Sequence, residues 1–246
     1  MHVEYTSRSF KSGKHVLCEK PMAANVAERE EMIAAKERVK RKLMIAYRLR
    51  YEPFNQKAIE LCTHEEDGGN KLINASHSQN IEAPNIRLST AMVGGPGDGG
   101  IYCLNCARYL MQREPVEVYG YAHPLMDDPR FCEVPKSVTF TLKFPGAAEA
   151  HSSFSFGTAE SRFYRVEAAR SVIQLDYVFS YFVRELRLHN NKPSFRFESK
   201  PVDHFAPEMD RLTECILKDK APRSRARKAS PICASWPRSK IQSVPA

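Results

Sequence analysis

Apolar and polar positions in the first fifty residues follow the periods of an α/β unit. Residues 2–12 carry Val3 and Phe10 two helical turns apart and stop at Gly13, which predicts a short helix. His15–Cys18 predicts a short apolar strand. Asn25 stands three residues before Glu28, the spacing of an N-cap with a capping box. Val26, Met32, Ile33 and Val39 continue it as a helix with a charged outer face, and Leu43–Tyr47 predicts a second strand. Strand, helix and strand at this spacing belong to a parallel sheet.

Further along, Pro53–Thr63 predicts a helix with Phe54, Ala58, Ile59 and Leu61 inward, followed by a polar turn at 65–69 and a strand at Lys71–Asn80. A glycine-rich loop spans 81–97. Asp98–Arg113 then predicts a helix with Ile101, Leu104, Ala107 and Leu110 on one face. From Pro115 to Pro201 the period becomes two, at 116–121, 137–144, 148–156, 163–168, 171–176, 186–189 and 194–198. Turns such as Phe144-Pro145-Gly146 separate these segments, so they predict a large, mostly antiparallel sheet. Pro207–Lys218 predicts an amphipathic helix with Met209, Leu212, Ile216 and Leu217 inward. The fold class is therefore α/β plus α+β, an open sheet with flanking helices. Residues 221–246 have no helical period and are expected to be disordered.

Composition narrows this picture. With 246 residues, 42% of them apolar, the chain can bury a proper core. It has no run of about 18 uninterrupted apolar residues, so no membrane span is expected. No secretory signal is visible at its start. Seven scattered cysteines are an odd set and fit reduced thiols of a cytoplasmic protein. The net charge of +8 invites a nucleic-acid reading, but residues 221–246 supply six of those charges and no acid. The body is near neutral, so no nucleic-acid partner is expected.

Three side chains carry candidate chemistry. Lys20 follows an apolar strand and precedes Pro21, which would place its ammonium at the carboxyl end of a sheet, where open α/β sheets bind ligands. Lys20-Pro21 is also a candidate cis bond that would set the direction of the lysine. Asp98 and Tyr102 are spaced i, i+4, on one face of the predicted helix near its N-terminus. A phenol near an ammonium is a reasonable proton donor and acceptor for a sugar hydroxyl. No Gly-Lys-Ser/Thr follows the glycines at 94–100, so a phosphate loop is rejected there. Cys103-x-x-Cys106 lies in a predicted helix with no second ligand pair, so both read as packing cysteines and no metal site is expected.

Taken together, Glu19-Lys20-Pro21, residues 47–53, residues 98–110 and residues 202–210 resemble, in order and rough spacing, the glucose–fructose oxidoreductase/inositol dehydrogenase family. The likeness covers residue 2 to about 223, with the glucose–fructose oxidoreductase branch most similar. It implies the last strands of a Rossmann domain in residues 1–50, an open-sheet substrate and dimerisation domain in 51–220, and a tail in 221–246. It also implies catalytic residues Lys20, Asp98 and Tyr102 beside NADP or NAD. Tyr102 would be the acid/base, and Glu19, Lys20, Pro21 and Arg48 would lie on the cofactor side, Arg48 near the cofactor or substrate mouth. The implied reaction is hydride transfer on a sugar or polyol, in a homo-oligomer formed through the open sheet.

The sequence also departs from the family pattern. Only twelve residues precede Gly13, and the glycine-rich dinucleotide turn is absent, so an N-terminal truncation is expected. The loop at 94–98 is about two residues shorter than the usual glycine run, which makes a displaced Asp98 the expectation. A one-base shift near Ser224–Arg225 would permit a Gly-Glu-Glu-Gly-Leu segment and a final helix in place of the basic tail. The alternative to an active oxidoreductase is a non-catalytic remnant, a dimer-forming open sheet without its cofactor loop.

Overall fold

The computed structural model describes residues 1–63, 70–90, 94–122, 128–181, 184–190, 195–200 and 202–222. In chain order these hold α1 (His2–Lys11), β1 (Val16–Glu19), α2 (Val26–Val39), β2 (Leu43–Ala46), α3 (Pro53–Thr63), β3 (Asn70–Asn80) and α4 (Gly100–Met111). There follow β4 (Glu117–Ala122), β5 (Ser137–Phe144), β6 (Ala148–Ser155), β7 (Gly157–Ala168), β8 (Val172–Asp176), β9 (Glu185–His189), β10 (Phe195–Phe197) and α5 (Ala206–Leu217). The expected polar turn at 65–69 and the basic tail from Arg223 onward lie outside the described residues. The described chain forms two compact units, residues 1–52 with 202–222 and residues 53–200.

In the first unit β1 and β2 pair in parallel, as their spacing implied. Phe10 of α1, Met32 and Ala35 of α2, Cys18, Met22, Leu43 and Ile45 form its core. The capping box forms: Asn25 Oδ1 accepts from the Glu28 N–H at 2.9 Å, and Glu28 Oε2 reaches back to the Ala24 N–H at 3.0 Å. Taken by sequence order, α5 would close the sheet domain, yet its packing groups it with the first unit. The Lys42 ammonium meets the Asp219 carboxylate at 2.5 Å just beyond its last turn. The inward face of α5 also differs from the apolar pattern. Glu208, Leu212 and Cys215 are buried, whereas Met209 and Leu217 are exposed at 55% and 80%. The stripe facing the core runs at spacings of four and three and begins with an acid, which the apolar pattern could not show.

The second unit is an eight-stranded sheet in the order β10-β9-β8-β7-β3-β6-β5-β4. Only the central pair β3–β6 is parallel; every other neighbour is antiparallel. Strands β5 and β6 bury alternate residues, and Val138, Phe140, Leu142, Ala150 and Phe154 lie in the core. Helix α4 packs on β3 and β6, with α3 beside it. This burial on nearly all sides of α4 exceeds the single inward face that its pattern predicted.

Asn55 ties three elements of this core together. It is fully buried on α3, and its Oδ1 accepts from the Tyr109 hydroxyl at 2.7 Å and the Tyr164 hydroxyl at 3.3 Å. Buried hydroxyls left without partners carry a full desolvation penalty. Asn55→Ala is therefore expected to destabilise the protein by about 2–4 kcal/mol. The check is a fall in the urea midpoint at unchanged slope; an unaltered midpoint would show that the hydroxyls find other partners.

Candidate active site

The register of β1 on β2 pairs Glu19 with Ala46, so both strands end at one edge. The 19–21 turn leaves that edge from β1, and a short 3-10 turn, Arg48–Tyr51, follows β2. Lys20 is half-buried there, and the Lys20–Pro21 peptide is cis, as expected from the dipeptide. Glu19 is exposed and folds its carboxylate back, Oε2 accepting from the Lys20 N–H at 3.0 Å. His2 Nδ1 donates to the Pro21 carbonyl at 2.9 Å and holds the other side of the turn.

Arg48, expected near the cofactor or substrate mouth, is 6% exposed. Its Nη1 lies 2.6 Å from Nδ1 of His204. A guanidinium has no acceptor, so Nδ1 carries the lone pair and the imidazole proton sits on Nε2. Glu208, on the same C-terminal segment, is 2% exposed and shares a backbone hydrogen bond with Tyr47. Burial first, and the Glu19 carboxylate second, push its carboxyl up to about 7, against the opposing pull of Tyr47 and Arg48. Sequence reasoning assigned no role to His204 or Glu208. The available signal was an acid at 208, one helical turn before Leu212 on the buried stripe.

Asp98 and Tyr102 belong to the second unit. Helix α4 begins at Gly100, two residues after the expected start. Residues Gly95–Gly97 form a 3-10 turn instead, and the Gly95 carbonyl accepts from the N–H groups of Asp98 at 3.1 Å and Gly99 at 3.0 Å. Asp98 thus stands before the helix, and the i, i+4 argument for a shared helix face does not apply to it. Its carboxylate pairs with Arg87 Nε at 2.9 Å. Gly94 lets this loop close, because a Cβ there would lie 2.1 Å from the Arg87 carbonyl oxygen.

Tyr102 sits in the first turn of α4, half-buried, and its N–H bonds the Gly99 carbonyl at 3.2 Å. The same oxygen accepts from His77 Nδ1 at 3.0 Å. The His77 ring meets Tyr102 edge to face with centroids 5.0 Å apart, and Phe179 lies 5.5 Å from Tyr102. Gly99 must be glycine, since a Cβ would fall 2.0 Å from the Phe154 ring. His77 was not foreseen; a lone histidine at an inward strand position, in step with Ile73 and Ala75, resembles an ordinary core residue. Cys103 and Cys106 are fully buried on α4, and burial pushes both thiols up, which fits the packing role expected of them.

Comparison with known proteins adds to this geometry. The model described as "Oxidoreductase family, NAD-binding Rossmann fold" matches residues 1–47, and that described as "GFO/IDH/MocA C-terminal domain" matches residues 56–171. A D-xylose 1-dehydrogenase [NADP(+)] of Haloarcula marismortui is 26% identical over 231 residues. The match covers 90% of this chain, and the chain spans 64% of that relative's length. Among solved structures, the aldose-aldose oxidoreductase from Caulobacter crescentus is 35% identical with a TM-score of 0.88, over 94% of this chain and 70% of that one. A 3-ketoreductase from Actinomadura kijaniata, 19% identical over 95% of this chain and 72% of its own, shares the fold with a TM-score of 0.78.

The buried carboxyl of Glu208 has a measurable consequence. Its pKa in the folded protein lies above the ordinary 4.5, so ionisation is harder in the folded state than in the unfolded one. The cost is absent below about pH 4.5, grows as pH rises, and is complete above about pH 7. Glu208→Gln removes it. The variant is expected to be more stable than wild type by about 2 kcal/mol at pH 8 and no more stable at pH 4. Urea midpoints at the two pH values provide the test, and an equal difference at both would count against the assignment.

Proposed function

The chain belongs to the GFO/IDH/MocA oxidoreductase family, and on that premise we propose that it is an NAD(P)-dependent oxidoreductase acting on a sugar or polyol. The single observation that carries this reading is Lys20. It stands at the carboxyl end of a parallel strand pair, in the Glu19-Lys20-Pro21 turn that resembles the family's catalytic turn. The nicotinamide supplies the hydride acceptor for a carbon bearing a hydroxyl. Glu19, Lys20 and Pro21 fit the nicotinamide side of a dinucleotide, because they offer a cation at the carboxyl end of a parallel strand pair. Arg48 enters the proposal through its place behind this edge, with its guanidinium engaged by His204. The pyrophosphate is a different matter: the Gly-x-Gly-x-x-Gly string of this sequence, Gly95–Gly100, lies in a 3-10 turn before α4 of the second unit, and none follows a strand of the first.

Tyr102 is the proposed acid/base. Its phenolic oxygen takes the substrate hydroxyl proton as the carbon gives up hydride and becomes a carbonyl, and it returns that proton in the reverse direction. Lys20 is the second proposed member, its ammonium polarising the substrate hydroxyl. Asp98 is the third proposed member, its carboxylate held by Arg87. The names of the xylose dehydrogenase and aldose-aldose oxidoreductase relatives support a sugar as substrate.

The sheet face opposite α4 supports a homo-oligomer. It presents a cavity of 580 Å³ lined by Tyr119, Tyr121, Thr141, His151 and Phe163 among others, and Tyr119 is 56% exposed. Six described cysteines are free thiols, which supports a reducing compartment such as the cytoplasm. Among the described residues no helix is long and apolar enough to cross a membrane.

Reduction of NADP+ or NAD+ by a panel of aldoses and polyols tests the reading. Tyr102→Phe is expected to lower kcat by about 10²–10⁴-fold with a smaller effect on KM. Lys20→Ala is expected to lower kcat and to weaken NADP(H) binding as followed by fluorescence. Wild-type kcat in Tyr102→Phe would remove the tyrosine from its role. A wild-type chain that fails to bind NADP(H) would instead favour the non-catalytic open-sheet module.

A further inference from the structure

Packing does not account for Arg162. It stands on β7 directly opposite His77 of β3 in the antiparallel register, so the two side chains share one face of the sheet. That is the face covered by α4, since the His77 ring meets the Tyr102 ring with centroids 5.0 Å apart and its Nδ1 donates to the Gly99 carbonyl. His77 is therefore the common neighbour of the proposed acid/base and a guanidinium, all within the second unit. Only 17% of the Arg162 side chain is exposed, and its Nε is buried without a hydrogen-bond partner. A cation so placed is costly, and an apolar side chain would fill the position at less expense.

Two further side chains complete the group. Gln79 lies two residues beyond His77, and its Oε1 accepts from Arg162 Nη2 at 2.7 Å. A guanidinium offers only donors, so the amide oxygen is the atom turned toward it and the amide N–H2 is left for another acceptor. Among the described residues neither that amide nitrogen nor Arg162 Nη1 has a hydrogen-bond partner, and neither is sealed from solvent. Glu160 lies 3.4 Å from Arg162 Nη2 with its side chain 53% exposed, and it supplies acceptors. Its carboxylate also cancels the charge of the guanidinium, so the group as a whole is neutral. Donors and acceptors side by side match hydroxyls, which do both, whereas a phosphate or a carboxylate would meet the charge of Glu160. We propose that Gln79, Arg162 and Glu160 form a subsite for the hydroxyls of an uncharged sugar, set beside Tyr102 with His77 between. The proposal rests on the reading of Tyr102 as acid/base and deepens it. The substrate becomes a free aldose or polyol, not a phosphorylated or carboxylated one, and these three side chains make the choice.

Equilibrium binding to the full chain, followed by ligand-observed NMR without cofactor, tests this. The probes are D-xylose, D-glucose, D-xylose 5-phosphate and D-glucose 6-phosphate. At least one of the two neutral sugars is expected to bind, and more tightly than its phosphate. Gln79→Leu removes the amide donors and should weaken the neutral sugar about tenfold. Glu160→Gln leaves the guanidinium charge uncancelled, so the phosphate should gain on the neutral sugar by about threefold to fivefold, and salt should erase that gain. A purely structural role would leave the ratio of the two affinities unaltered. Glu160 is exposed, so its variant should keep the wild-type urea midpoint and decides the matter alone if Gln79→Leu folds poorly. The proposal is overturned if neither neutral sugar binds, if wild type prefers the phosphates, if a folded Gln79→Leu binds as wild type, or if Glu160→Gln keeps the wild-type preference. Because no cofactor is present, each of these outcomes is distinct from a failure to bind NADP(H), which bears on the proposed function.

Discussion

A guanidinium withdrawn from water has to find an acceptor, and Arg48 finds one 156 residues away in the imidazole of His204. That requirement links the end of β2 to the segment leading into α5 and helps hold the last described helix to the first unit. Glu208 comes with it, on the buried stripe that also holds Leu212 and Cys215. The edge that carries Lys20 is thus backed by a cation, an imidazole and a carboxyl drawn from opposite ends of the sequence. Burying such groups costs free energy that apolar side chains would not cost.

The second unit solves a different problem. Helix α4 is enclosed nearly all round, so every position on it is constrained. Its first residues pack so tightly on β6 that Gly99 has no room for a side chain. The carbonyl of Gly99 then serves two donors, the Tyr102 N–H and the His77 ring. The phenol is held by backbone and ring contacts that start from one atom, a stiff mounting for a proposed acid/base. Asp98, one residue earlier, is held by the glycine turn and by Arg87. It is the glycine turn, with its 3-10 bonds, that cuts the helix short of Asp98.

Much of this was legible in the sequence because local periods dictate local structure. The capping box at Asn25 and Glu28, the alternation in β5 and β6, and the parallel strand pair all followed from side-chain spacing. The cis Lys20–Pro21 bond followed from its dipeptide, and the Glu19-Lys20-Pro21 turn carried the family. The failures share one cause. Apolar pattern places apolar residues, so it misread α5, where Glu208 faces inward and Met209 and Leu217 face out. It likewise missed Asn55 and His77, polar groups whose burial is tolerated only because distant partners satisfy them.

The sequence by itself determined the order of the elements and the mostly antiparallel character of the sheet, since each depends on neighbours a few positions apart. Only the tertiary structure decided that α5 joins the first unit, that Arg48 is buried against His204, and that Asp98 stands outside the helix of Tyr102. Those outcomes depend on which far-off group supplies an acceptor, a carboxylate or an aromatic face. Long-range complementarity of that kind has no period along the chain.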